Sequence, residues 1–143
     1  MNKWDKRFIN VAQLVSGWSK DESMKVGSVI VDPDNRIIST GINGFPKGVP
    51  DNPEEYANRT VKLKKILHSE VNAILRARCN LINHTIYIWP CMCCCPCSSV
   101  IIQSGIKRVV APYFETTRWK EDFELATVNL ADANVTLDLV NYD

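Results

Sequence analysis

His68 and Glu70 stand with a single residue between them, and five of the six cysteines crowd between Cys91 and Cys97, so the reactive side chains gather in two short stretches. An imidazole, a carboxylate two residues on, and thiols in Cys-x-x-Cys spacing are the parts of an open zinc site: three protein ligands with an acid/base beside them. Two pairs have that spacing, Cys91 with Cys94 and Cys94 with Cys97. The second is preferred because Cys97 is expected to begin a helix over 98–104, whose dipole would favour a thiolate there. Cys94 belongs to either pair. A closed structural zinc site or a redox pair would use the same thiols, but a closed site needs four ligands, and with His68 and His84 as the available histidines the fourth would come from the crowded loop or from Cys79. Glu70 separates these readings, since only an open site needs a group that takes a proton from bound water and passes it on. His84, between Asn83 and Thr85, reads as a surface loop residue.

These stretches must be positioned by a single domain of 143 residues, long enough to bury a core. With Lys+Arg 17 against Asp+Glu 16, no field from the whole molecule favours nucleic acid or an anionic membrane. The N-terminus has no apolar h-region, and no apolar run approaches the roughly 18 residues of a membrane span, which implies a soluble cytoplasmic protein. Close neighbours in sequence pair poorly as disulfides, so the thiol loop implies metal ligation or redox chemistry in a reducing compartment.

Apolar residues from Trp4 to Trp18 recur at helical spacing, predicting a helix over 4–19. Residues 25–31 and 36–40 read as a hairpin about the turn Asp32-Pro33-Asp34-Asn35. Glycine and proline then open a long irregular connection to about Asn58, followed by one or two helices, the second over 69–77. Strands over 85–89, 107–111 and 135–139 alternate with helices over 98–104 and 117–130. This order implies an α/β fold of three layers, α/β/α, with a mixed central sheet flanked by helices. Two residues along a regular helix point about 200° apart, so His68 and Glu70 can share a pocket only if His68 precedes the first helical turn.

His68-Ser69-Glu70 followed by Cys94-Cys95-Pro96-Cys97 resembles the His-x-Glu and Pro-Cys-x-x-Cys signature of the zinc-dependent cytidine deaminase superfamily. Val26-Gly27-Ser28-Val29-Ile30-Val31, Gly41-Ile42-Asn43-Gly44-Phe45-Pro46-Lys47-Gly48, His68-Ser69-Glu70-Val71-Asn72-Ala73-Ile74 and Ile101-Ile102-Gln103-Ser104-Gly105-Ile106-Lys107 look like its deoxycytidylate (dCMP) deaminase branch. The resemblance covers most of residues 4–140. It implies a cytidine-deaminase-like fold, His68, Cys94 and Cys97 as ligands of one zinc, and Glu70 as proton shuttle. It further implies Asn43 on the sugar, with Lys25 and Trp89 as weaker substrate contacts.

The reaction implied is attack of zinc-activated water on C4 of cytosine, protonation of N3 by Glu70, and loss of ammonia to give dUMP. Members of the branch are commonly homohexamers, activated by dCTP and inhibited by dTTP, with Mg2+ accompanying the triphosphate. Gly44, Phe45, Lys47 and Asn72 look like the effector region, and glycine N–H groups beside a lysine suit a phosphate. The branch's usual proline before the first ligand cysteine is here Cys93, which keeps the register Cys91/Cys94 open. Residues 43–67 hold no cysteine or histidine for a second zinc. Deaminases of dCTP, cytidine, guanine or tRNA adenosine, a zinc-stabilised binding module and a redox sensor are the alternatives.

Overall fold

The computed structural model describes residues 1–142. In chain order the elements are α1 (Lys3–Ser16), β1 (Gly27–Val31), β2 (Ile37–Ile42), α2 (Pro53–Ala57), α3 (Arg59–Lys65), α4 (Ser69–Ala77), β3 (Thr85–Trp89), α5 (Cys95–Ser104), β4 (Arg108–Pro112), α6 (Lys120–Asp132) and β5 (Thr136–Val140). The strands form one sheet in the order β2-β1-β3-β4-β5. β1 runs antiparallel to both neighbours, while β3, β4 and β5 are parallel. The predicted mixed α/β sheet is therefore observed.

Strand alternation divides the core into two layers. Val29 and Val31 of β1, Tyr87 of β3 and Val110 of β4 pack under Phe8, Ile9, Ala12 and Val15 of α1. Ile30, Ile86, Ile88, Val109 and Ala111 face the other way, onto Ala73 of α4, Ile101 of α5, and Ala126 and Leu130 of α6. The hairpin turns as its chemistry predicts, with Asp32 Oδ1 accepting from the amides of Asp34 and Arg36 and Asn35 in the left-handed region at φ 62.

Two glycines let helices lie directly on the hairpin. A Cβ on Gly27 would stand 2.2 Å from the Ala12 carbonyl oxygen of α1, and one on Gly41 would stand 2.4 Å from the Ser69 carbonyl oxygen of α4. Across the α1 face, Arg108 reaches both Asp5 carboxylate oxygens at 2.9 Å, and the Tyr87 hydroxyl donates to Asp5 at 2.8 Å. Arg108 Nε also donates to Asp138 at 2.7 Å, so one guanidinium links α1, β4 and β5.

Two boundaries differ from expectation in ways that matter. Residues 53–57 form α2 inside the stretch predicted as irregular, because Asn52 accepts from the Glu54 amide at 2.9 Å and Pro53 is preset for a first turn. The helix expected over 98–104 begins at Cys95, with Cys94 as its N-cap and Pro96 in the first turn. Cys97 is thus inside the first turn rather than at the helix start.

Candidate metal centre and cavity

His68 is the N-cap of α4, with extended backbone at φ -71 and ψ 154, so its side chain is not bound to the helical rotation. A single bridge fixes it there: Gly44 and Leu67 exchange backbone hydrogen bonds of 3.0 and 2.8 Å. From the other side, α5 presents Cys94 and Cys97. The Nδ1 of His68 lies 3.4 Å from Cys94 Sγ and 3.2 Å from Cys97 Sγ, and the three ligand atoms fall within 4.8 Å of one another. A tetrahedral zinc with ordinary Zn–S and Zn–N lengths needs N–S separations of roughly 3.6 Å, so this donor set fits the ion with small adjustments and leaves a fourth position to solvent. Cys91 is not part of the cluster.

The electrostatics agree with metal ligation. A hydrogen bond from Cys97, and after it the His68 imidazole, draws the Cys94 thiol well below its ordinary value, while the hydrogen bond to that thiolate and burial push Cys97 up. The thiolate in turn raises His68, against the effect of burial. The sequence argument placed the helix-favoured thiolate at Cys97; the earlier helix start moves that position to Cys94. Burial pushes the Cys91 thiol up to about 12 and Cys93 higher still.

Glu70 is buried at 4 % exposure and its carboxyl is raised by that burial, opposed by a hydrogen bond from Ser69. Ser69 Oγ donates to Glu70 Oε1 at 2.6 Å, and Ser28 Oγ lies 2.6 Å from Ser69 Oγ. Asp122 of α6 accepts from the Cys95 amide at 3.0 Å, holding the first turn of α5 beside the thiols. Neither the serine pair nor Asp122 was singled out from sequence. Their partners lie 41 and 27 residues away, and no local periodicity reports such contacts.

His68, Glu70, Cys91 and Cys94 line a cavity of about 800 Å³, closed on other sides by Met24, Tyr56, Arg59, Lys62, Arg118 and Trp119 among others. Asn43 is on its wall, but its side chain is already engaged: Oδ1 accepts from the Val26 amide at 2.9 Å, and Nδ2 donates to the Met24 carbonyl at 2.8 Å. Lys25 and Trp89 are not among the lining residues. The Lys25 amine donates to the Ser19 carbonyl at 2.8 Å, and Trp89, on the α1 face of β3 with Tyr87, packs edge-on against Tyr142. The alternation of β3 turns Trp89 away from the helices that carry the metal ligands. His84, expected at the surface, is buried, with Nδ1 3.0 Å from the Ile82 carbonyl oxygen.

A second cavity, of about 630 Å³, brings together Gly44, Phe45, Lys47 and Asn72, with Arg76 and Arg78 beside them. Lys20, Asn43, Asp51 and Tyr56 line both cavities. Tyr56 stacks on Phe45 at 4.0 Å, accepts from the Phe45 amide and donates to Asp51.

A mixed sheet between helix layers, with one histidine and two cysteines presented by two helix starts beside a buried glutamate, defines a zinc-site α/β domain. Residues 2–112 match the family model of the cytidine and deoxycytidylate deaminase zinc-binding region, and the chain belongs to that family. It is 40% identical over 149 residues to an uncharacterized deaminase encoded in the luxG 3' region of Aliivibrio fischeri, covering 100% of this chain and 97% of that protein. It is 35% identical to the deoxycytidylate deaminase of Mycobacterium phage D29, over 76% of this chain and 94% of the phage protein. The human deoxycytidylate deaminase is 31% identical over 76% of this chain, but the match spans only 64% of the human protein, and 56% of a probable deoxycytidylate deaminase of Caenorhabditis elegans. The fold matches that of dCMP deaminase from the cyanophage S-TIM5 at a TM-score of 0.72 and 24% identity, over 98% of this chain and 100% of that one.

Proposed function

We propose that the chain is a zinc-dependent hydrolase converting dCMP to dUMP, acting as one domain over 1–143. The observation that carries this reading is Glu70, a carboxylate buried on the cavity wall two residues from His68, where a purely structural metal site has no use for one. The substrate comes from the named relatives, deoxycytidylate deaminases of phage and animals. His68, Cys94 and Cys97 would hold the zinc, which when bound supplies a water acidified to near neutral pH. Glu70 takes a proton from that water on a carboxylate oxygen, gives one to N3 of the cytosine ring, and assists the departure of ammonia from C4. Asn43 would hold the sugar at the cavity wall.

The reading extends to regulation. Gly44, Phe45, Lys47 and Asn72 would bind dCTP as activator or dTTP as inhibitor, with Mg2+ on the triphosphate and the arginines of the second cavity adding charge. The working form would be a cytoplasmic homohexamer whose dUMP supplies dTMP synthesis. No helix among the described residues is long and apolar enough to cross a membrane.

The test is the loss of cytosine absorbance on mixing the protein with dCMP, with and without dCTP or dTTP, beside Glu70→Gln. Turnover should fall by roughly 10²- to 10⁴-fold in the variant while zinc content stays unchanged. Zinc-loaded protein that leaves dCMP, dCTP and cytidine untouched under every effector condition would refute the assignment.

A further inference from the structure

Ser28 and Ser69 are both 0 % exposed, and Glu70 is 4 % exposed on the cavity wall, and the three side chains form a continuous hydrogen-bonded line from the sheet to the cavity. Both links are 2.6 Å. A hydroxyl has one proton, and Ser69 gives its proton to Glu70 Oε1, so Ser28 must be the donor in the link between the serines. Strand parity aims Ser28 at α4, since it shares a face of β1 with Ile30 and alternates with Val29. Gly41, paired with Ser28 across the hairpin, removes the Cβ that would hold α4 off the sheet, because that atom would stand 2.4 Å from the Ser69 carbonyl oxygen.

Satisfying buried hydroxyls does not account for this line. A serine in the first turn of a helix ordinarily bonds backbone, and two alanines would fill nearly the same space at little cost in stability. What the pair adds is the bond to Oε1. A carboxylate with one oxygen occupied by a donor has one oxygen left to carry a proton, and Oε2 has no side-chain hydrogen bond among the described residues.

We infer that the Ser28–Ser69 hydroxyl line positions the Glu70 carboxylate, occupying Oε1 and reserving Oε2 for proton transfer in the cavity. The inference rests on the proposed role of Glu70. In each turnover Oε2 takes one proton from water as the water oxygen bonds to C4 and passes it to N3. It then takes the second from the resulting C4 hydroxyl and passes it to the amino nitrogen, which leaves as ammonia as the C4–N bond breaks and C4=O forms; Oε1 accepts from Ser69 throughout. Ser69 and Ser28 act only through Glu70.

The experiment compares native protein with Ser69→Ala, Ser28→Ala and the double variant, reading kcat and KM for dCMP, bound zinc, the thermal midpoint, and the Glu70 side chain in a crystal structure of Ser69→Ala. Loss of a hydrogen bond to a charged group corresponds to about a tenfold to hundredfold fall in kcat, expected with KM and zinc content unchanged. Ser28→Ala should fall less, and the double variant no further than Ser69→Ala, because Ser28 acts only through Ser69. A kcat within about twofold of native in Ser69→Ala, effects of the two serines that multiply, or a Glu70 carboxylate left unmoved in the crystal would each overturn the inference. If Ser69→Ala does not fold, Ser28→Ala decides: a fall in kcat at constant KM supports the line, and native kcat refutes it. Should native protein fail to turn over dCMP, the functional reading falls, and the carboxylate orientation in the variant crystal still decides this one.

Discussion

Replacing Cys97 by serine should strip the centre of zinc, whereas Cys91→Ser should keep it, because among the described residues Cys94 and Cys97 are the cysteines within ligand reach of His68. Metal analysis checks the first effect. Thermal unfolding checks a second, since binding contributes about 4 kcal/mol when free zinc stands at roughly a thousand times its Kd. Equal loss of zinc in both variants would put the register elsewhere in the loop. At this scale the sequence was legible where chemistry is local. The pairs His68/Glu70 and Cys94/Cys97 declare themselves by spacing, and the start of α4 meets the condition that spacing imposed. Ser28 and Ser69 were not legible because the link between them is tertiary, and the alternation of β3 places Trp89 with Tyr87 on the α1 face.

Among the elements, α4 lies directly on the hairpin at Gly41, and Gly41→Ala tests that approach. The new methyl would meet backbone, the Ser69 carbonyl oxygen at 2.4 Å and the Ala73 nitrogen at 2.5 Å, which a side-chain rotation cannot relieve. Overpacking should cost about 1–3 kcal/mol, measured by denaturant unfolding, and turnover should drop with it because α4 carries His68 and Glu70. A variant of native stability and activity would show that α4 has room to shift. All five strands were readable from β-branched runs and turn residues, and their order within the sheet was not, because periodicity reports burial but not partners. The start of α5 was misplaced by three residues, since a cysteine cap followed by Pro96 carries a weaker signal than the apolar run behind it.

Over the whole molecule, Asp5 and Arg108 join α1 to the parallel half of the sheet. Burial pushes the Asp5 carboxyl up, but the Arg108 guanidinium and the Tyr87 hydroxyl outweigh it and hold the group below its ordinary 3.8. A carboxyl depressed on folding stabilises the protein above its unfolded value, and that contribution is lost as pH falls through the folded one. Asp5→Asn should therefore destabilise the protein by about 2 kcal/mol at neutral pH and flatten the loss of stability on acidification below pH 3.8, read from unfolding at a series of pH values. An unchanged acid limb would mean that other carboxylates set it. The three-layer plan was legible as an order of elements; this cross-link was not, since residues 5 and 108 are related only by the finished fold.

The wall that Lys20, Asn43, Asp51 and Tyr56 give to both cavities makes the two occupancies a matter of shared account. Whatever factor a guest in one cavity applies to binding in the other is returned to it unchanged, because the cycle of four states must close. If a nucleotide in the second cavity tightens substrate binding, substrate tightens the binding of that nucleotide by the same factor.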